Sequence, residues 1–183
     1  MAVRYRETVT LTPIVGTLGY LWDRAGDTVL MVQRDARPGD DHFGKVNGLG
    51  GKLEAGEHVV ECMRRELREE AGLEVTSLRL RGTISWTDFG PRDEDWLGFV
   101  FLADAWRGEP PAHNDEGGLI WVPRTRLFAA CAPDPAARQA AGLELWDGDR
   151  HFLPLVFDDD PRPFHGTMPY AGDRAVGWTY ERL

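Results

Sequence analysis

The chain has 183 residues, 42% of them hydrophobic, which is enough for one well-buried core and too few to favour two ordinary domains. Its 21 basic and 30 acidic residues give a formal charge of −9, which excludes a broad basic footprint for duplex nucleic acid or an anionic membrane and leaves a single bound nucleotide open. Cys62 and Cys131 lack metal-ligand spacing, against a disulfide scaffold or a zinc ribbon and in keeping with a reducing, cytoplasmic compartment.

The N-terminal apolar run is broken by Thr, Pro and Gly, and has neither a cleavage pattern nor a spanning length, so export is not expected. In chain order, TVTLTPIVGTLGYLW (8–22) and TVLMVQR (28–34) are rich in β-formers and flank DRAGD, which predicts a hairpin. The aperiodic, Gly-rich stretch DARPGDDHFGKVNGLGGKLEAGE opens onto a predicted helix from about His58 to Ala71, stopped by Gly72. VTSLRLRGTISWTDF (75–89) and WLGFVFLADAW (96–106) predict strands split by the polar loop GPRDED, and LIWVP (119–123) predicts another. The Ala- and Pro-rich segment 129–144 reads as an insertion with at most a short helix. Strands before and after one strong helix, with weaker helical pieces late in the chain, indicate a single α/β domain over 1–183, layered around a mixed sheet.

The chemistry concentrates between residues 48 and 75. On a helix Glu66, Glu69 and Glu70 point to one side within a turn, where their repulsion costs stability unless a divalent cation neutralises it. Val59, Met63 and Leu67 step along another face and can seat the helix on the sheet. Of the interleaved Arg64, Arg65 and Arg68, at least one can hold a carboxylate in place. Gly48, Gly50 and Gly51 allow close backbone approach to a phosphate or metal, and Lys52 offers a point charge for phosphate oxygens. A Glu/Arg-rich helix is ordinarily just a solvated face laced with ion pairs, but the spacing decides against that here.

Gly51, five residues, Glu57, seven residues and then RELREEAGL (65–73) resembles the Nudix box, with every fixed position filled. The resemblance implies a Nudix α/β/α sandwich with a mixed β-sheet, and hydrolysis of a nucleoside diphosphate linked to another moiety with Mg²⁺, or Mn²⁺ in its place. Carried over residue by residue, it implies metal ligation by Glu66 and Glu70, with Glu69 as a further ligand or proton acceptor and the Gly50 carbonyl facing the metal. Glu57 and Arg65 become an ion pair bracing the glycine loop against the helix. Glu54, His58, Glu61 and Cys62 fall at variable positions and are expected to be ordinary solvated side chains.

KVNGLGGK (45–52), the Asp115–Glu116 pair before LIWV, LELWDGDRHFLPLVF (143–157) and PFHGTMPYAGD (163–173) resemble the MutT-like oxidised-purine nucleoside triphosphatases, over about Tyr5 to Arg182. That likeness implies a purine contacted by Asn47 as a donor to O6, stacked on Trp146 and read at its edge by Asp149. It also implies phosphates beside Gly51 and Lys52, and Glu116 near the metal. Phe43, Trp86, Phe89 and Trp96 are either pocket wall or core, and His165 is expected to be structural. Where the resembling enzymes pair two aspartates, this chain has Gly148 and Asp149, with Asp147 one place earlier, so Asp147 is the competing base reader. The expected reaction splits an oxidised purine nucleoside triphosphate such as 8-oxo-dGTP into monophosphate and pyrophosphate, clearing the nucleotide pool. A broader nucleoside triphosphate or diphosphate-X pyrophosphatase and a non-catalytic nucleotide sensor are the alternatives, and the intact box glutamates count against the sensor.

Overall fold

A computed structural model describes residues 10–39 and 42–183. In chain order it contains β1 (Ile14–Asp23), β2 (Thr28–Gln33), β3 (Val46–Asn47), α1 (Val59–Ala71), β4 (Glu74–Phe89), β5 (Glu94–Arg107), β6 (Gly118–Pro123), α2 (Arg124–Ala130), α3 (Pro135–Ala141), α4 (Asp149–Val156), β7 (Phe164–Gly172), β8 (Arg174–Ala175) and β9 (Thr179–Arg182). The expected β1–β2 hairpin forms, pairing Leu21 with Leu30 and Asp23 with Thr28. The strand expected from residue 8 starts at Ile14; positions 8 and 9, like Tyr5, lie outside the described residues.

The strands form one nine-stranded sheet in the order β3-β2-β1-β5-β4-β7-β8, with β6 on β2 and β9 on β7. It is mixed: β1 runs parallel to β5 and β4 parallel to β7, while β1–β2 and β4–β5 are antiparallel. Side chains alternate between its faces as the two-residue strand period requires. Leu21, Leu30 and Phe101 join Met63, Leu67 and Ala71 of α1 on one side; their neighbours Tyr20, Met31 and Leu102 join Leu127 of α2 and Phe152, Leu153 and Val156 of α4 on the other. The result is a sheet with helices on both faces. No helix among the described residues is long and apolar enough to cross a membrane.

α1 begins where the sequence places it. His58 is the N-cap: its Nδ1 accepts from the Glu61 amide at 3.3 Å, and Glu61 accepts from the His58 amide at 3.1 Å, forming a reciprocal capping box. These two exposed residues therefore start the helix. Gly72 ends it at φ 67°, its amide 3.0 Å from the Arg68 carbonyl. Cys62 departs from expectation: it is fully buried, with its sulfur 3.4 Å from Thr17 Oγ1 and 3.5 Å from the Lys52 carbonyl. Its small side chain lets α1 lie close to the glycine loop.

The weaker helical pieces expected late in the chain are α2, α3 and α4, whereas β7, β8 and β9 escape sequence reading. α4 carries Pro154 inside it, which ordinarily signals a break, yet Phe152, Leu153 and Val156 bury it against the sheet. Arg81, 3% exposed, supports that helix by donating to the carbonyls of Val156 at 2.8 Å and Leu155 at 3.1 Å. The segment 129–144 contains the last residues of α2 and the seven-residue α3, whose N-cap Asp134 accepts from Ala136.

Candidate active site

The glycine loop 48–53 runs beside β1 almost as an extra strand, with Thr17 N donating to Gly51 O at 2.8 Å, and Gly19 and Leu49 exchanging bonds at 2.6 and 3.0 Å. At Gly50 the backbone breaks step at φ 145°, a region L side chains avoid, and a Cβ there would fall on the Thr17 carbonyl. A Cβ on Gly51 would fall on the Glu66 carboxylate. The loop thus needs glycine twice, once for conformation and once for the approach of α1.

α1 meets this loop through its charged side. Arg65 donates to both oxygens of Glu57, at 3.1 and 2.9 Å, to Glu66 Oε1 at 2.8 Å, to Glu69 Oε2 at 3.1 Å and to the Lys52 carbonyl at 3.2 Å. These bonds lower Glu57 to about 2 and raise the guanidinium further above its ordinary value. Glu70 turns the other way and accepts from the Gly50 amide at 2.9 Å. Burial first, and the nearby Glu116 second, push Glu70 up to about 8 although the Gly50 bond opposes the shift. Burial raises Glu66 as well, against the pull of Arg65.

Glu116 arrives from a different part of the chain. Asn114 Oδ1 accepts from the amides of Glu116 and Gly117 at 2.9 and 3.0 Å, while its Nδ2 donates to the Glu70 carbonyl at 3.1 Å. Arg34, at the end of β2, pairs with Glu116. Glu66 and Glu70, raised by burial and by neighbouring carboxylates, and the adjacent Glu116 are hard oxygen donors whose mutual repulsion a divalent cation relieves, so these residues fit such an ion. In the arrangement described, Arg65 engages Glu66 and Glu69, Arg34 engages Glu116, and no group of three or more His, Cys, Asp or Glu residues among the described residues converges as a ligand set.

One cavity of about 340 Å³ links this region to an aromatic end. Gly50, Gly51, Lys52, Arg34 and Glu116 line the first part, and Asn47, Phe89, Trp146, Asp149 and Tyr170 the second; of the aromatics left between wall and core, Trp86, Phe89 and Trp96 all line the cavity, and Trp86 and Phe89 also pack against the core. Phe43 is 48% exposed and is not part of the lining. Lys52 Nζ stands 5.3 Å above the Trp96 ring. Trp146, 8% exposed, packs at 4.9 Å from Phe89 and carries Lys45 Nζ 5.3 Å over its ring. His165 bonds Thr83 at 2.9 Å within the sheet, away from that lining.

The two candidate aspartates part company. Asp147 is tied to Arg150 and accepts from the Ala175 amide at 3.1 Å, whereas Asp149, opening α4, lines the cavity. Burial pushes Asp149 up to about 7, against a hydrogen bond from the Trp146 backbone to its carboxylate and the charge of Lys45. Gly148 interrupts the aspartate pair for a steric reason: a Cβ there would meet Met168 Sδ and Tyr170 Oη, which takes the Gly148 amide at 3.0 Å. Arg34, His42, Asn114 and Tyr170 are site residues that sequence reasoning missed. Arg34 had a signal, being the charged end of a predicted strand, but His42 sits in an unpatterned loop.

A mixed sheet sandwiched by helices, with a glutamate-rich helix braced by Arg65 against a glycine loop, defines the Nudix class of fold. Residues 12–145 match the NUDIX domain, and the chain belongs to that family. It is 33% identical over 147 residues to the uncharacterized Nudix hydrolase YvcI of Bacillus subtilis (strain 168), covering 79% of this chain and 80% of that one. It is 44% identical over 91 residues to the oxidized purine nucleoside triphosphate hydrolase of Danio rerio, covering 47% of this chain and 57% of that one. The crystal structure of the mutator MutT protein from Bacillus halodurans superposes with a TM-score of 0.73 at 25% identity, over 92% of this chain and 97% of that one. Membership supports an enzyme that hydrolyses phosphoric anhydrides of small nucleotide substrates, a chemistry for which Nudix hydrolases generally use divalent metals such as Mg²⁺.

Proposed function

We propose that the protein is a cytoplasmic, Mg²⁺-dependent pyrophosphohydrolase that converts oxidised purine nucleoside triphosphates, such as 8-oxo-dGTP, to the monophosphate and pyrophosphate. The observation that carries this reading is the two-ended cavity, with Glu116, glycine backbone and Lys52 at one end, where Gly50 and Gly51 meet Glu70 and Glu66 of α1, and Trp146, Asn47 and Asp149 at the other. A triphosphate lies toward the first end while its base enters the second.

Glu66 and Glu70, with Glu69, Glu116 and the Gly50 carbonyl, would hold the cation, which when bound neutralises phosphate charge and acidifies water. The chain's own residues do the rest. Arg65 and Glu57 keep α1 in register with the loop, Lys52 draws the phosphates in, and a box carboxylate orients the attacking water and accepts its proton. Trp146 offers a stacking face, and ionised Asp149 accepts from N1–H and N2–H₂ of a guanine-type base.

A second reading, a broader nucleoside triphosphate pyrophosphatase, is favoured by one observation: with Asp147 held by Arg150 and Ala175, a single aspartate remains on the base. The deciding experiment compares kcat/KM with Mg²⁺ on 8-oxo-dGTP, 8-oxo-dATP, dGTP, dATP and dCTP. A preference of at least about ten-fold for oxidised purines is expected. Equal rates favour the broader enzyme, and nucleotide binding without turnover would make it a sensor.

A further inference from the structure

We propose that His42 is a specificity-determining positioning residue that turns the Asn47 side-chain oxygen toward the bound base, so that the site demands an N–H donor at that point. The proposal rests on the nucleotide reading of the same cavity.

The indole nitrogen of Trp146 can only donate, and it lies 3.2 Å from His42 Nδ1, so that ring nitrogen carries no proton and acts as an acceptor. Asn47 Nδ2 lies 3.3 Å from the same atom. A nitrogen lone pair repels an amide oxygen and attracts an amide N–H, which settles the otherwise ambiguous direction of the Asn47 amide. One N–H of the amide is committed to His42, which fixes the orientation of the group, and Oδ1 is left buried without a hydrogen-bond partner on a residue that lines the cavity. His42 also packs edge-on to Trp146, ring centroids 5.3 Å apart, and so holds both the stacking ring and the amide beside it.

An unmatched buried acceptor is costly, and a ligand that supplies the missing donor gains correspondingly. This reverses the expectation of Asn47 as a donor to O6. The chemistry separates oxidised from normal purines: guanine presents a bare acceptor at N7, whereas an 8-oxopurine carries hydrogen on N7 and presents a donor. A purine whose N1 and N2 hydrogens are taken by Asp149 directs its N7 edge away from that aspartate, and Asn47 Oδ1 accepts from N7–H of the oxidised base alone.

The test measures, by calorimetry on metal-free protein, the affinities of 8-oxo-dGMP and dGMP for wild type, His42→Phe and His42→Gln. Wild type should prefer 8-oxo-dGMP by about ten-fold or more. Phenylalanine keeps a ring on Trp146 but removes the acceptor, and should narrow that preference to roughly three-fold or less. Glutamine, whose amide oxygen can receive both donors, should restore it. Nitrogen NMR of the free wild-type protein should report His42 as neutral with its proton on Nε2, a reading that does not depend on the variants folding. The proposal is overturned by an unchanged preference in His42→Phe, by absence of preference or of binding in wild type, or by a proton on Nδ1. Turnover is a separate arm. Selective monophosphate binding without hydrolysis of 8-oxo-dGTP sinks the hydrolase reading alone, and hydrolysis with selectivity indifferent to His42 sinks this proposal alone.

Discussion

Arg65 grips Glu57 through two parallel bonds, Nε to Oε2 at 3.1 Å and Nη2 to Oε1 at 2.9 Å, and the same guanidinium reaches the Lys52 carbonyl. One side chain therefore fastens the helix that carries the acidic residues to the loop those residues face. Arg65→Ala strands Glu57 and Glu66, both largely shielded from solvent, and should cost about 1–3 kcal/mol. At about 2–4 °C per kcal/mol for a chain of this size, the thermal midpoint should drop by several degrees, together with a large loss of turnover. Arg65→Lys should recover little, since an ammonium cannot make the two-pronged contact. A loss of activity with no change in melting would instead place Arg65 on the substrate.

Glu70→Gln should leave the fold intact, because a glutamine oxygen still accepts from the Gly50 amide. It removes a carboxyl that can ionise onto a bound cation, so the stabilisation expected from Mg²⁺ in the wild type should largely vanish. That stabilisation amounts to about 2.7 kcal/mol at a metal concentration a hundred times Kd. Glu61→Gln is the control, since it keeps the capping-box acceptor on an exposed part of α1 and should retain both Mg²⁺ response and turnover. Equal Mg²⁺-dependent melting shifts in wild type and Glu70→Gln would remove Glu70 from the metal site.

Asp149 predicts a pH dependence. The unfolded chain ionises this residue near its ordinary 3.8, the folded protein at about 7, because burial penalises the carboxylate. Between those values the folded state holds the extra proton, so stability attributable to Asp149 is full below about 4, falls as the pH rises and is gone above about 7. At about 1.4 kcal/mol per pKa unit, the effect is on the order of a few kcal/mol. Asp149→Asn should therefore raise the melting temperature at pH 8 and change it little at pH 4. The same variant should erode the preference for guanine-type over pyrimidine triphosphates. A melting difference from wild type that is independent of pH would show that Asp149 ionises freely.

Asn114 joins the loop bearing Glu116 to the carbonyl of Glu70. Asn114→Ala removes both ends of that link and should lower kcat/KM by about ten-fold or more, because Glu116 is proposed to face the metal and misplacing such a carboxylate by even an ångström is expensive in rate. The stability cost should stay near about 1–2 kcal/mol, within the ordinary range for a lost hydrogen-bonding side chain. Unaltered kcat/KM would mean that Glu116 needs no such tether.

What the sequence determined by itself was the local chemistry. Helical periodicity puts Glu66, Glu69 and Glu70 within one turn whatever the rest of the chain does, Gly72 stops the helix in a left-handed conformation, and the resemblance to the Nudix box implies the Glu57–Arg65 brace. The runs of β-formers before and after that helix likewise indicated layers around a mixed sheet, which the two core clusters on its faces bear out. Only the tertiary structure decided which of those carboxylates turn inward: Glu70 meets Gly50 and Glu116, whereas Glu69, 59% exposed, reaches no farther than Arg65. It alone placed Asp149 in the cavity lining and Asp147 on Arg150 and Ala175, with Gly148 between them where Met168 and Tyr170 leave no space for a side chain. His42 meeting Trp146 across the fold, and α4 persisting through Pro154, belong to the same group. Such contacts join residues far apart in the chain through the order and register of the strands, and no local period in the sequence encodes that order.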